Sequence, residues 1–476
     1  MIIKIIGEIG KRGNVKLLKD YTARQFIGLM VISTLLLMEN IDSNILNVAI
    51  PQMSKVFNEP VLTMKLAVTS YIIGLAIFIP ISGWISDKYG TQKTLIFSIV
   101  MFTVMSTCCG MTHSLFFLVI CRLLQGASGA FMVPVGRLLL LKIFKKEEMV
   151  KAYTLMSIPT MIGPVVAPVL GGYLVTYFNW NYIFWVNIPV GIVALLCTIK
   201  FINNYKEEQG KFNLVSFTFL ALFLCCFTFF LDVAIVSTPN PTNKILLGIG
   251  TLLFGAIYYF IEKNSDNPVI RYKLFKLRTF KSCFISTLII RASLGGRAFI
   301  LAIYLEIIFG LSAFSAGMIF IWMTLGMLCS RTLLRKLLAK YGFKRTLTIA
   351  NVGSFCALLM LASVTHPGVL LIIALIINGV FASAQFMSMN VLYYEEVEKA
   401  DYGSAVSLAA TWQQLGLSIG IIVAAGTLHL VSMHGMTKMS FHITFVVLAF
   451  LNVSCQFMIA KLKPTDGQSM MKKRGK

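Results

Sequence analysis

Apolar stretches of roughly 20 residues recur along this chain, each long enough to cross the ~30 Å hydrocarbon core of a bilayer. They fall at 26–50, 63–84, 94–111, 115–141, 150–177, 182–203, 212–235, 244–262, 281–309, 314–334, 346–364, 368–393, 404–430 and 440–460. In lipid every backbone N–H and C=O must be satisfied within the protein, and segments this long do so as helices. The pattern therefore predicts an all-α membrane protein with about 14 spans. The basic residues are sorted in register with it. Of 42 Lys and Arg, only Lys55, Lys65, Lys244 and Lys438 lie in or beside the odd-numbered gaps, and Arg122, Arg137, Arg291 and Arg297 lie inside spans. The other 34 fall in the two tails and in or beside the even-numbered gaps. Lys and Arg stay on the cytoplasmic side, so the sorting predicts both termini in the cytoplasm.

Little polar chain is left over. The sequence is 57% hydrophobic and 13% charged, which no soluble domain matches. A net charge of +23 raises nucleic acid as a partner. Positive-inside sorting plus attraction to anionic lipid accounts for it, so lipid is the expected partner and nucleic acid is not. The basic tail 1–25 has no apolar core and no small-residue cleavage site, and reads as a segment lying on the inner leaflet. No Walker-type glycine loop is present, so this chain is not expected to hydrolyse ATP. The ten cysteines show no CxxC or Cys/His spacing. Neither a disulfide framework, a metal site nor a cofactor is expected.

A short repeat sets the organisation. DKYGTQKTL from Asp87 recurs as AKYGFKRTL from Ala339, each after an even-numbered span. Same side and same direction imply a parallel repeat, as in transporters with two related halves. The expected divisions are a tail (1–25), a six-helix bundle (26–203), two inserted helices with a basic linker (204–280), a second six-helix bundle (281–460) and a basic tail (461–476). The second copy has Arg335 and Ala339 where the first has Gly83 and Asp87, and reads as a structural relic.

Five segments carry a family likeness. They are IDSNILNVAIP from Ile41, GWISDKYGTQK from Gly83, RLLQGASG from Arg122, GPVVAPVLGG from Gly163 and WNYIFWVNIPVG from Trp180. In this order and membrane setting the chain resembles the fourteen-helix drug:proton antiporters of the major facilitator superfamily. The resemblance implies an all-α major facilitator fold, with two six-helix bundles plus two inserted helices. It implies a proton-coupled secondary transporter in the inner (plasma) membrane, exporting amphipathic drugs or other small molecules by alternating access.

It also gives roles to residues. Asp42, a carboxylate deep in span 1, and Arg122, about 10 Å into span 4 at 1.5 Å per residue, are the candidates for proton coupling. Gly83, Asp87, Gly90 and Lys93 resemble a cytoplasmic gate. Gly163, Pro164, Pro168, Gly171 and Gly172 resemble the antiporter hinge, though tight helix packing needs the same residue types. Glu39 lies three residues before Asp42 on nearly the same helix face. It is a candidate for a cationic substrate or a second proton, or for a pair with Arg297. Arg291, Arg297 and Glu306 in span 9, with Gln385, Asn390 and Gln413, complete the cavity candidates. Arg291 and Arg297 are about 600° apart around the helix and so on different faces. These two cations favour an alternative, an exporter of an anionic metabolite, siderophore or metal chelate. A second alternative is a non-transporting sensor or scaffold on the same fold. Protons and a small-molecule substrate are expected partners, with other efflux components as a further candidate. The five histidines cluster near outer span ends without metal spacing.

Overall fold

The computed structural model describes residues 23–144, 149–206, 213–235, 241–263, 272–398, 401–432 and 435–467. Its regular structure is helical, with no strand among the described residues. The spans are α1 (Ala23–Ile45), α2 (Lys65–Tyr89), α3 (Thr91–Met111), α4 (Leu115–Ile143), α5 (Met149–Tyr177) and α6 (Asn187–Phe201). Then follow α7 (Leu214–Ile235), α8 (Pro241–Lys263) and α9 (Arg278–Ile303). One continuous run, Ala313–Ala362, is divided at Gly342 (φ 72°) into α10 (313–341) and α11 (343–362). The last three are α12 (Val369–Leu392), α13 (Tyr402–Val431) and α14 (Lys438–Ser454). Thirteen segments are long and apolar enough to cross a membrane, and α5, whose described apolar part is Val166–Tyr177, supplies a fourteenth helix. The even number returns the chain to the membrane face where α1 begins, called here the terminal face. The basic tails at 1–22 and 468–476 lie outside the described residues.

Two spans differ from simple apolar rods. Beyond Ile45 the chain tightens into a 3₁₀ turn (Leu46–Val48) and enters a short helix, Ile50–Phe57, with Pro51 in its first turn. Proline suits that position because the first-turn N–H has no intrahelical partner. At the same face α9 runs on into a π turn, Tyr304–Ile308.

The two halves repeat one packing device. Within α1–α6, helices α2 and α4 cross at glycines: a Cβ on Gly74 would overlap the Leu123 carbonyl, and one on Gly126 would overlap that of Tyr71. Within α9–α14, Gly326 of α10 meets the Ile376 carbonyl, and Gly379 of α12 meets that of Met323. Helices in lipid gain no hydrophobic drive from one another, so small residues that let backbones touch are what hold them. The halves meet where α5 packs on the Ala313–Ala362 run and α2 on α13. At the α5 contact, Gly172 lies against the Ala313 carbonyl and Gly317 against that of Pro168. Helices α7 and α8 pair with each other, and α7 also touches α2 and α13. Leu252, 77% exposed, and its neighbours Ile245, Leu246 and Ile249 give α8 an apolar outer face suited to lipid.

A strap closes each half at the terminal face, in matching positions. Arg24, opening α1, donates to the Phe201 carbonyl at the end of α6 (2.9 Å) and to Asn203. Arg278, opening α9, donates to the Lys461 carbonyl beyond α14 (3.1 Å) and grips Asp466 at 2.7 and 2.8 Å. Each strap also covers the turn between its half's second and third helices. Asn204 Oδ1 accepts from the Gln92 and Lys93 N–H groups (3.1 and 3.3 Å), while Lys344 Nζ donates to the Ala460 carbonyl (2.8 Å). Both turns rest on a left-handed glycine, Gly90 (φ 98°) and Gly342 (φ 72°).

Candidate functional site

Two clusters of buried polar residues lie inside the spans, one per half. In the first, Arg122 and Asp42 form an ion pair of 2.5 Å, and neither side chain has any exposed surface. Asp42 Oδ1 also accepts from Gln125 Nε2 (3.0 Å) and Asn187 Nδ2 (2.8 Å). Arg122 is held from three further sides. It donates to the Ala67 carbonyl (3.1 Å) and to Gln125 Oε1 (2.9 Å), and its guanidinium lies 4.1 Å from the Tyr71 ring centre. Asn187 passes the network on to Ser106 (3.1 Å), whose hydroxyl donates to the Phe184 carbonyl (2.8 Å). Helices α1, α3, α4 and α6 thus meet around one carboxylate and one guanidinium of opposite charge. A buried charge is tolerable when it is paired and its remaining hydrogen bonds are made, and both conditions hold here.

The second cluster lies among α9, α11, α12 and α14. Arg297, 2% exposed, donates one bond, to Asn378 Oδ1. Its Nε and Nη2 have no partner, and no carboxylate pairs with it among the described residues. Asn378 immediately precedes Gly379 as Gln125 immediately precedes Gly126, so the two amides hold corresponding places in the two glycine crossings. Gln385 is fully buried and donates to Asn351 (2.8 Å) and Asn452 (3.4 Å). Arg291 points elsewhere, as its different helix face requires: its guanidinium stands 5.1 Å from the Phe386 ring centre. The alternative pair of Glu39 with Arg297 is absent among the described contacts, since Arg297 Nη1 donates to Asn378 and its Nε and Nη2 have no partner. Glu39 is itself buried and accepts from Asn40 (3.1 Å).

The other candidates separate from these clusters. Glu306 lies in the π turn, about 13 Å beyond Arg297 along the helix at 1.5 Å per residue. Its Oε1 is buried without a hydrogen bond. Gln413 donates to Asn390 (3.2 Å), which donates to the Phe386 carbonyl (2.8 Å), forming a half-buried pair of its own. Gly163 presses on Asn40 and Gly171 on Ile45, while Gly172 and Pro168 make the contact with α10. The side chain of Pro164 lies outside the described residues. In the 2–3 turn, Gly90 has no room for a Cβ beside Asn204 and Lys93 contributes its backbone N–H. Asp87 is half-buried, and an added Cβ on Gly83 would meet nothing within 4 Å. Of the histidines, His442 joins Tyr304 (3.0 Å) and the Val364 carbonyl (2.9 Å), and His434 lies outside the described residues. No group of metal-binding side chains occurs among the described residues.

Sequence reading missed Gln125, Asn187, Ser106 and Asn204. Gln125 and Asn187 lie inside the quoted segments RLLQGASG and WNYIFWVNIPVG, so a signal was present without a role attached.

The chain is similar to known proteins along most of its length. The Major Facilitator Superfamily model matches residues 32–262 and 283–475. A Salmonella paratyphi A protein named for multidrug resistance, MdtD, is 34% identical over 389 residues, covering 81% of this chain and 83% of its own length. An Escherichia coli protein of the same name is 31% identical over 440 residues, covering 90% and 93%. Among solved structures, a nucleoside transporter, NupG, superposes with a TM-score of 0.65 at 14% identity, over 93% of this chain and all of that one. A peptide transporter, POT, in complex with sulfate gives 0.67 at 14%, over 93% and 95%. Those identities speak for the fold alone. With a family model matched along most of its length and relatives above 30% identity over nearly all of it, this multi-pass membrane protein belongs to the major facilitator superfamily and is a transporter, not an enzyme.

Proposed function

We propose that this transporter exports amphipathic small molecules in exchange for protons, by alternating access of its two halves, and that Asp42 is the proton site with Arg122 as its partner. The observation that carries this reading is the fully buried Asp42–Arg122 pair, joined by Gln125 and Asn187. Three donors converge on this one carboxylate, and a proton arriving there removes an acceptor and the charge that Arg122 answers. Arg122 then keeps the Ala67 and Asp42 backbone carbonyls, Gln125 and the Tyr71 face. Proton occupancy is thereby tied to how α1 sits against α4, which is what coupling to a helix movement requires. The multidrug name of the relatives supports drug-like substrates.

Gly90 with Asn204 would hold the gate turn, and the Gly172 contact with α10 would serve as the hinge. The basic sorting supports an inner-membrane protein with both termini in the cytoplasm, in contact with anionic lipid. Partnership with further efflux components has no feature of its own here. A second reading, export of an anionic molecule, is favoured by Arg297, which has no acid beside it.

The test uses inverted membrane vesicles with an imposed proton gradient. Cationic dyes, organic acids and metal chelates are added singly, and collapse of the gradient is recorded for wild type and Asp42→Asn. Substrate-dependent collapse in wild type alone supports antiport through Asp42. Equal responses from both proteins to every compound would sink it.

A further inference from the structure

We propose that the cluster around Arg297 is a binding site for the carboxylate of a transported molecule. This rests on the exporter reading above and names a substrate class for it. A cavity of about 20 Å³ in the second half, room for about one water molecule in this conformation, is lined by Arg291, Arg297, Ser354, Gln385, Phe386 and Asn452, among others. Two of these six are cations and none is an acid. Arg297 is the anchor. It is 2% exposed, and the free Nε and Nη2 lie on one edge of its guanidinium. That edge is the fork that takes both oxygens of a carboxylate at once. The Arg291 Nε and the Ser354 hydroxyl are also buried without partners, and both can donate.

An unpaired buried cation is costly, and the protein supplies its own remedy in the other half, where Asp42 answers Arg122. In the second half no such residue exists among the described ones, so the missing charge comes from outside. Arg291 is half-buried while Arg297 is 2% exposed, so Arg291 is the more accessible of the two cations lining the cavity. Phe386 provides an apolar wall beside Arg291, which suits a carboxylate carried on an apolar body.

The experiment uses the purified full-length protein in lipid nanodiscs, in a zwitterionic buffer with no added carboxylate or halide. Benzoate and its uncharged counterpart benzamide are titrated, and binding is read as a shift in melting temperature. Benzoate is expected to stabilise the protein saturably and benzamide is not. Arg297→Gln should weaken benzoate binding about tenfold or more, and Arg297→Lys less, because a point charge survives without the fork. Should Arg297→Gln fail to fold, Arg297→Lys and Arg291→Gln carry the test. Unchanged benzoate affinity in all folded variants would overturn the proposal, as would equal stabilisation by benzamide. If chloride alone reproduces the benzoate shift, a resident inorganic ion fills the site and the proposal falls. Asp42→Asn separates the two readings. It should bind benzoate like wild type while losing proton-coupled flux. Dye-driven flux without benzoate binding sinks the anion site and leaves the exporter. Benzoate binding without flux of any compound does the reverse.

Discussion

The two halves share a scaffold and differ in what fills it. Both cross their second and fourth helices at reciprocal glycines, turn on a left-handed glycine and end in a strap anchored by an arginine. In the first half Asp42 and Arg122 answer each other, with amides completing the bonds. In the second half Arg297 stands alone with two nitrogens unused. A duplicated framework has thus been furnished once as a closed circuit and once as an open socket. The closed circuit suits a proton, which changes the protein's internal balance. The socket suits a ligand, which brings its own charge.

The strongest way to break this contrast is to remove one cation from each half. Arg122→Met leaves Asp42 buried and unanswered, and should cost about 3–5 kcal/mol, seen as a large drop in melting temperature in detergent. Arg297→Met removes a charge that nothing in the protein answers, and should leave the ligand-free melting temperature unchanged or raise it. Comparable losses in both would show that Arg297 has a partner of its own.

Removing the first-half pair together sharpens the comparison. Asp42→Leu with Arg122→Met should recover most of the stability lost by Arg122→Met alone, since well-packed apolar residues often replace a buried pair at little cost. It should still abolish substrate-driven proton movement in vesicles. Recovery of stability and flux together would remove Asp42 from the coupling role.

Where the halves are alike, they should fail alike. Gly126→Ala and Gly379→Ala each place a methyl group against a backbone carbonyl of the neighbouring helix. Each should cost about 1–3 kcal/mol by overpacking, with melting temperatures falling by similar amounts. A loss confined to one half would make its partner crossing a coincidence of spacing.

The straps give the smallest and most selective effect. Asn204 is neutral, while the second strap depends on the Asp466 carboxylate. Burial pushes that carboxyl up, but hydrogen bonds from Arg278 and the Lys463 N–H outweigh it and hold it below its ordinary value. Its contribution is therefore complete above the ordinary carboxylate range and is lost as pH falls through the lowered value. Limited proteolysis of the C-terminal segment should accelerate only at strongly acidic pH. Asp466→Asn should make that acceleration vanish by exposing the segment equally at every pH, and Asn204→Ala should add no pH dependence. The strap bonds are worth about 1 kcal/mol each, so the effect is local.

The spans were legible because length and apolarity are what lipid demands, and these survive any detail of packing. Asp42 and Arg122 were legible for the same reason in reverse, since a charge inside a span needs a cause. Gln125 and Asn187 were not, because a neutral amide is a common span residue until the fold sets it against a carboxylate. That Arg297 stands over Asn378 and not over Glu39 was equally out of reach. It depends on how α9 is rotated against α1, and one sequence states which residues share a face but not which way that face turns. Asn204 was hidden because its partners, Gln92 and Lys93, lie more than a hundred residues earlier. The Gly342 turn shows the opposite case. Its gate residues are absent, yet the glycine that the geometry needs is kept.

The contact between Gly172 and the Ala313 carbonyl joins two backbones with no side chain between them. Such a joint has no rotamer to absorb displacement, so it acts as a fulcrum. From it α5 extends back to Met149, a lever of about 35 Å at 1.5 Å per residue. A tilt of about ten degrees there would sweep the far end by about 6 Å, more than one helical turn. Small changes of fit at one face of the membrane are thereby magnified at the other.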